Sequence, residues 1–185
     1  MEAFLISTGI VALAEMGDKT QLLALVLAAR FKTPWPIVLG IFVATALNHA
    51  MAGALGSWVT TQISPQNLRY LLGVSFIAMA LWMLVPDKLD HETDKKVPRF
   101  GVFGTTVVLF FLAEMGDKTQ IATVLLAARF EAYFAVVAGT TLGMMLANAP
   151  VVWLGERVTR LVPLRVVHAV SAAVFLGLGL WALLM

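Results

Sequence analysis

The sequence predicts an all-α integral membrane protein with six transmembrane helices, arranged as two inverted three-helix repeats. Three observations carry that expectation. First, the 185 residues are 60% hydrophobic and 13% charged, with a mean hydropathy of +0.88. A soluble domain is about a quarter charged, so the excess apolar surface needs a solvent other than water. Second, six apolar windows of membrane-spanning length follow one another with short connections. Third, the nonapeptide LAEMGDKTQ at 13–21 returns at 112–120, 99 residues later.

In chain order, the windows cover 3–29, 35–56, 68–85, 101–128, 133–154 and 166–184. None alternates with the two-residue period of a membrane β-barrel, so helices are the remaining way to satisfy the backbone in lipid. The first window begins almost at Met1 without a basic leader or small-residue cleavage site, so it is expected to be a retained helix. Cysteine is absent, which excludes disulfides and thiolate metal sites. The formal charge is only +2 and no basic stripe is present, so lipid and not nucleic acid is the expected partner.

The repeat extends well beyond the nonapeptide. At an offset of 99, LAARF at 27–31 falls on 126–130, Gly40 on Gly139, Gly56 on Gly155, Phe76 on Phe175 and Trp82 on Trp181, and about 27 of 86 positions are identical without a gap. The chain therefore divides into a first repeat (1–86), a charged linker (87–99) and a second repeat (100–185), together one transmembrane domain. Because each repeat has three spans, the second enters the membrane from the opposite face. Nine Lys and Arg residues fall on connections one-two, three-four and five-six, against Arg69 and Arg129 on the other side. That bias makes the basic side cytoplasmic and places both termini outside. The linker reads as a solvated segment, with cation sensing by Asp87, Asp90, His91, Glu92 and Asp94 as the alternative.

Glu15, Asp18, Lys19 and their counterparts Glu114, Asp117, Lys118 lie near the centres of windows one and four. A charge at that depth costs about 2.5–3.5 kcal/mol, so six left unpaired would cost roughly 15–20 kcal/mol, more than a domain's whole stability. They must meet each other, water or an ion. Glu and Asp three apart share a helical face, and Gly17 and Gly116 permit a close approach or a local break that lets helix ends line a polar cavity. Inversion of the repeats would bring the four carboxylates together at the midplane. Four acids and two lysines sum to −2, which suits a divalent cation or two protons, and hard oxygen ligands favour Ca²⁺, Mg²⁺ or Mn²⁺.

Several neighbours are candidate ligands or relays. Thr20, Gln21, Thr119 and Gln120 offer neutral oxygens or interhelical hydrogen bonds. His49, with Asn48 beside it, aligns with Asn148, and each places polar atoms in an apolar run. Lys19 and Lys118 balance charge. Met16 and Met115 are packing residues or soft thioether ligands that favour Mn²⁺. Arg30 and Arg129 are expected to snorkel, and Trp35, Trp82 and Trp181 to anchor at the interfaces. Gly40, Ala44, Gly53, Gly56, Gly139, Gly143 and Gly155 are expected to permit close helix packing.

The two EMGDKT boxes resemble a family of membrane proteins with paired E-x-G-D-[KR]-[ST] motifs, comprising Golgi-type Ca²⁺/Mn²⁺:H⁺ transporters and bacterial manganese exporters. The likeness covers the whole chain. It implies a metal site at Glu15, Asp18, Glu114 and Asp117. The short loops look like the bacterial members, which implies an inner membrane and export of Mn²⁺. No resident cofactor is expected, the metal being cargo, and no nucleotide-binding loop is present. Secondary antiport by alternating access, driven by H⁺ or Na⁺, is therefore the leading expectation. A passive divalent channel is the alternative, followed by an intramembrane aspartyl protease whose G-x-G-D motif shares the Gly-Asp but not the lysine. A homo-oligomer is compatible with the sequence but not required by it.

Overall fold

The computed structural model describes residues 1–85, 100–155 and 164–184. The linker residues Asp87, Asp90, His91, Glu92 and Asp94, and the basic residues Arg157 and Arg160, lie outside the described residues. Within them the chain is helical: α1 (Glu2–Glu15), α2 (Lys19–Phe31), α3 (Pro34–Gln62), α4 (Pro65–Met83), α5 (Gly101–Glu114), α6 (Lys118–Phe130), α7 (Tyr133–Leu154) and α8 (Leu164–Leu184). Among the described residues, α3, α7 and 165–184 of α8 are long and apolar enough to cross a membrane as single helices, while α5 is apolar but shorter.

Windows one and four are not single helices. Each divides at its acidic box into two half-helices of 13 or 14 residues. The cause is local. Met16 is extended (φ −65°, ψ 113°), Gly17 has φ +85°, and the Asp18 N–H donates to the Glu15 carbonyl at 3.1 Å. That is a type II turn, whose third residue needs positive φ and so selects glycine. Met115, Gly116 (φ +77°) and Asp117 repeat it, with Asp117 N–H on the Glu114 carbonyl at 3.1 Å. Read in order, Glu ends one half-helix, Gly turns the chain, and Asp takes the N-cap position of the next.

The halves exchange helices. α1 of the first half packs on α7 of the second, and α5 of the second packs on α3 of the first. Small residues make both approaches possible. A Cβ on Gly139 would stand 2.5 Å from the Phe4 carbonyl oxygen, and one on Gly40 would stand 2.7 Å from Thr106 Cβ, the repeat-equivalent contact. Gly53, Gly56 and Gly143 are similarly close to neighbours, whereas Gly155 ends α7 and serves no such contact. α4 and α8 pair through Gly73 and Gly179, with Phe76 and its equivalent Phe175 at 6.2 Å between ring centroids. This α4–α8 pair rests chiefly on α1 and α6, not on their equivalents α5 and α2.

Polarity is distributed inside out. Leu39, Phe42, Leu47, Val74 and Leu81 are exposed, while Ser7, Glu15, Thr45, Asn48, His49, Thr105 and Glu114 are fully buried. A water-soluble domain does the opposite. Lipid facing the apolar surface and a polar seam between the helices account for both.

Candidate metal centre

The two type II turns deliver their acids to one place. Carboxylate oxygens of Glu15, Glu114 and Asp117 lie within 4.8 Å of one another, and all three residues are buried. Two come from the box of the second half and one from the first, so the group exists only where the halves meet. Asp18 is also buried and lies within electrostatic range of Glu114 and Lys19, but outside this tight group. Three carboxylates thus converge where four were expected.

Each glutamate is held by the threonine five residues on. Thr20 Oγ1 donates to Glu15 Oε2 at 2.5 Å, and Thr119 Oγ1 donates to Glu114 Oε2 at 3.1 Å. One oxygen of each, Oε1, is buried with no hydrogen-bond donor among the described residues, as is Asp117 Oδ2. Buried carboxylate oxygens without donors are costly, and these three belong to the residues that converge, which are of the type a hard cation takes as ligands.

The glutamines act on the turns. Gln21 Oε1 accepts the Gly17 N–H at 2.9 Å while its Nε2 donates to the Ala147 carbonyl on α7 at 2.9 Å. Gln120 Oε1 accepts the Gly116 N–H at 2.7 Å, and its Nε2 donates to Asn48 Oδ1 on α3 at 3.3 Å. Asn48 in turn donates to the Phe111 carbonyl at 3.0 Å, tying α3 to the last turn of α5. Each glutamine therefore fastens its own turn to a helix of the other half. Asn148 donates to Met144 within its own helix. His49 is buried with neither ring nitrogen hydrogen-bonded among the described residues, and it is not part of the carboxylate group.

The lysines are not equivalent despite identical boxes. Lys19 Nζ forms an ion pair with Asp117 Oδ1 at 2.9 Å across the two halves. Lys118 Nζ instead donates to the Val85 carbonyl at 2.9 Å. Nothing in the linear order signals either contact, nor the Ala147 and Phe111 carbonyls that receive Gln21 and Asn48, because backbone acceptors carry no residue signature. Met16 is half-buried and Met115 exposed, and neither is tied to the carboxylates by a hydrogen bond among the described residues. Arg129 lies over the Trp181 ring at 4.2 Å and Arg30 over Phe31 at 5.8 Å.

Comparison with known proteins bears on what such a centre serves. The family model "Divalent cation/proton antiporter GDT1" matches residues 3–91 and 102–185. A protein of Vibrio cholerae serotype O1 named "Putative manganese exporter" is 49% identical over 181 residues, covering 97% of this chain and 90% of its own length. "GDT1-like protein sll0615" of Synechocystis is 29% identical, covering 77% and 78%, and "GDT1-like protein 3" of Oryza sativa subsp. indica is 28% identical, covering 95% and 71%. No solved structure matches. The family is one of transporters and not an enzyme class, which removes the intramembrane protease reading. The match spans both repeats, and with it the chain belongs to the GDT1 family of divalent cation/proton antiporters, a membrane protein of cation transport.

Proposed function

We propose that the protein exports Mn²⁺ in exchange for H⁺ by alternating access, with Glu15, Glu114 and Asp117 as the principal metal ligands and Asp18 joining them during the cycle. The observation that carries this reading is the convergence of three buried carboxylates from two repeat-equivalent turns. Ligands shared between two halves let a relative motion open the site to one side and then the other. The same oxygens hold either the metal or protons, so protons entering from outside release the metal there and its binding inside releases protons. On this reading the six windows are six spans in two inverted repeats, 1–86 and 100–185, joined by a cytoplasmic linker at 87–99. Both termini lie outside a bacterial inner membrane, as the lysine and arginine bias supports. The name of the Vibrio relative supports Mn²⁺ over Ca²⁺.

The seating of the α4–α8 pair on α1 and α6 supports a two-state device, because equivalent surfaces exist on α5 and α2. Purified protein in liposomes tests the whole scheme, with Mn²⁺ and Ca²⁺ flux followed with and without an imposed pH gradient. Antiport predicts accumulation of Mn²⁺ against its own gradient when protons flow the other way, and Asp117→Asn should lower the rate at least a hundredfold. Flux that only ever dissipates the metal gradient would identify a passive channel instead.

A further inference from the structure

The two boxes are identical in sequence, yet among the described residues it is Lys19 that forms an ion pair with one of the three converging carboxylates. Lys19 Nζ sits 2.9 Å from Asp117 Oδ1, and Asp117 is one of the three converging acids. Its partner in the repeat, Lys118, places its ammonium on the Val85 carbonyl. The side chains also differ in access. That of Lys19 is 29% exposed and so has room to swing, whereas Lys118 as a residue is only 5% exposed.

An ammonium and a divalent ion are both hard cations that seek carboxylate oxygen, and two cations on one buried carboxylate repel each other strongly. We propose that Lys19 is a tethered competitor of the transported metal: its ammonium holds Asp117 until a divalent ion displaces it, and returns to Asp117 as the ion leaves. This rests on the proposed metal site and assigns Lys19 a role different from that of Lys118. The Lys19–Asp117 pair would cap the affinity of the site and assist release, since the departing ion's ligand is taken over by a charge already in place.

The sign of one measurement separates this from a bracing role. A brace, once removed, leaves the ligands disordered and weakens metal binding, whereas a competitor, once removed, strengthens it. Mn²⁺ binding to the purified full-length protein is measured by titration calorimetry at one fixed pH for wild type, Lys19→Gln, Lys19→Arg, Lys118→Gln and Asp117→Asn. Lys19→Gln should tighten Kd about tenfold and slow turnover in liposomes, as release becomes limiting. Lys118→Gln removes the same formal charge from a side chain bonded to a carbonyl, and should tighten Kd less than threefold. Lys19→Arg keeps the charge and adds a two-pronged grip on the carboxylate, so Kd should weaken at least threefold. Unchanged or weaker binding in Lys19→Gln overturns the proposal, and so does unchanged binding in Lys19→Arg if the Gln variant fails to fold. If wild type binds no Mn²⁺, or Asp117→Asn binds it as well as wild type, the metal site itself is wrong and the competitor falls with it. Normal loss of binding in Asp117→Asn beside an unchanged Lys19→Gln would leave the site standing and reject only the role of Lys19.

Discussion

Threonine hydroxyls bear directly on the two glutamates. Thr20 Oγ1 reaches Glu15 at 2.5 Å, and Thr119 Oγ1 reaches Glu114 at 3.1 Å. Both threonines are buried, so no water replaces the donor when the hydroxyl is removed. Thr20→Val keeps the shape and loses one hydrogen bond to a charged group, a change of about 1.5 kcal/mol, or roughly tenfold in affinity. Mn²⁺ affinity should therefore fall about tenfold in Thr20→Val and less in Thr119→Val, whose bond is longer, while Thr20→Ser stays near wild type. Calorimetric titration of the three variants checks the order. Equal affinities throughout would mean that the glutamates are oriented by something else.

At the scale of elements, the half-helix is the working unit. Breaking windows one and four at a glycine turn frees helix ends in the interior, which an unbroken helix would have kept hydrogen-bonded to itself. The halves are then held by close backbone contact and not by large side chains. At Gly139 an added methyl meets the Phe4 carbonyl at 2.5 Å, a backbone atom that cannot rotate away, whereas at Gly177 nothing lies within 4 Å. Gly139→Ala should accordingly lower the unfolding temperature in detergent by several degrees by separating α1 from α7. Gly177→Ala should match or slightly exceed wild type, because alanine is the better helix former by about 1 kcal/mol. A stability loss equal in the two variants would show that the α1–α7 approach carries no special weight. α3 is the longest of the unbroken helices among the described residues. At 29 residues it is about 43 Å long, beyond the ~30 Å hydrocarbon thickness, so it tilts or projects.

For the molecule as a whole, the exchange of helices between halves makes each half incomplete without the other, and leaves the α4–α8 pair as the element seated asymmetrically. Leu68 on α4 and Ala128 on α6 border one cavity of about 230 Å³. If transport moves this pair from α1 and α6 toward α5 and α2, tying α4 to α6 must stop it. The natural absence of cysteine makes the test direct. Leu68→Cys combined with Ala128→Cys, bridged by a short bis-maleimide, should lose Mn²⁺ flux in liposomes, and each single variant treated alike should keep it. Full flux in the bridged protein would mean that this pair does not move.

Sequence alone determined the solvent, the duplication and the chemistry. Composition demanded lipid, a 99-residue register demanded two equivalent halves, and six charges in apolar runs demanded mutual or metal neutralisation. The helix break was half legible, since glycine inside EMGDKT allows either close packing or a turn, and only the positive φ at Gly17 and Gly116 chose the turn. Tertiary structure decided the rest. Identical boxes cannot reveal which lysine crosses to the opposite acid, that Asp18 stands outside the tight group, or that the Gln21 and Gln120 amide oxygens accept from their own turns. The reason is physical: composition and repeat are additive along the chain, while an ion pair between halves depends on where two distant segments come to rest, and two halves alike in sequence need not rest alike.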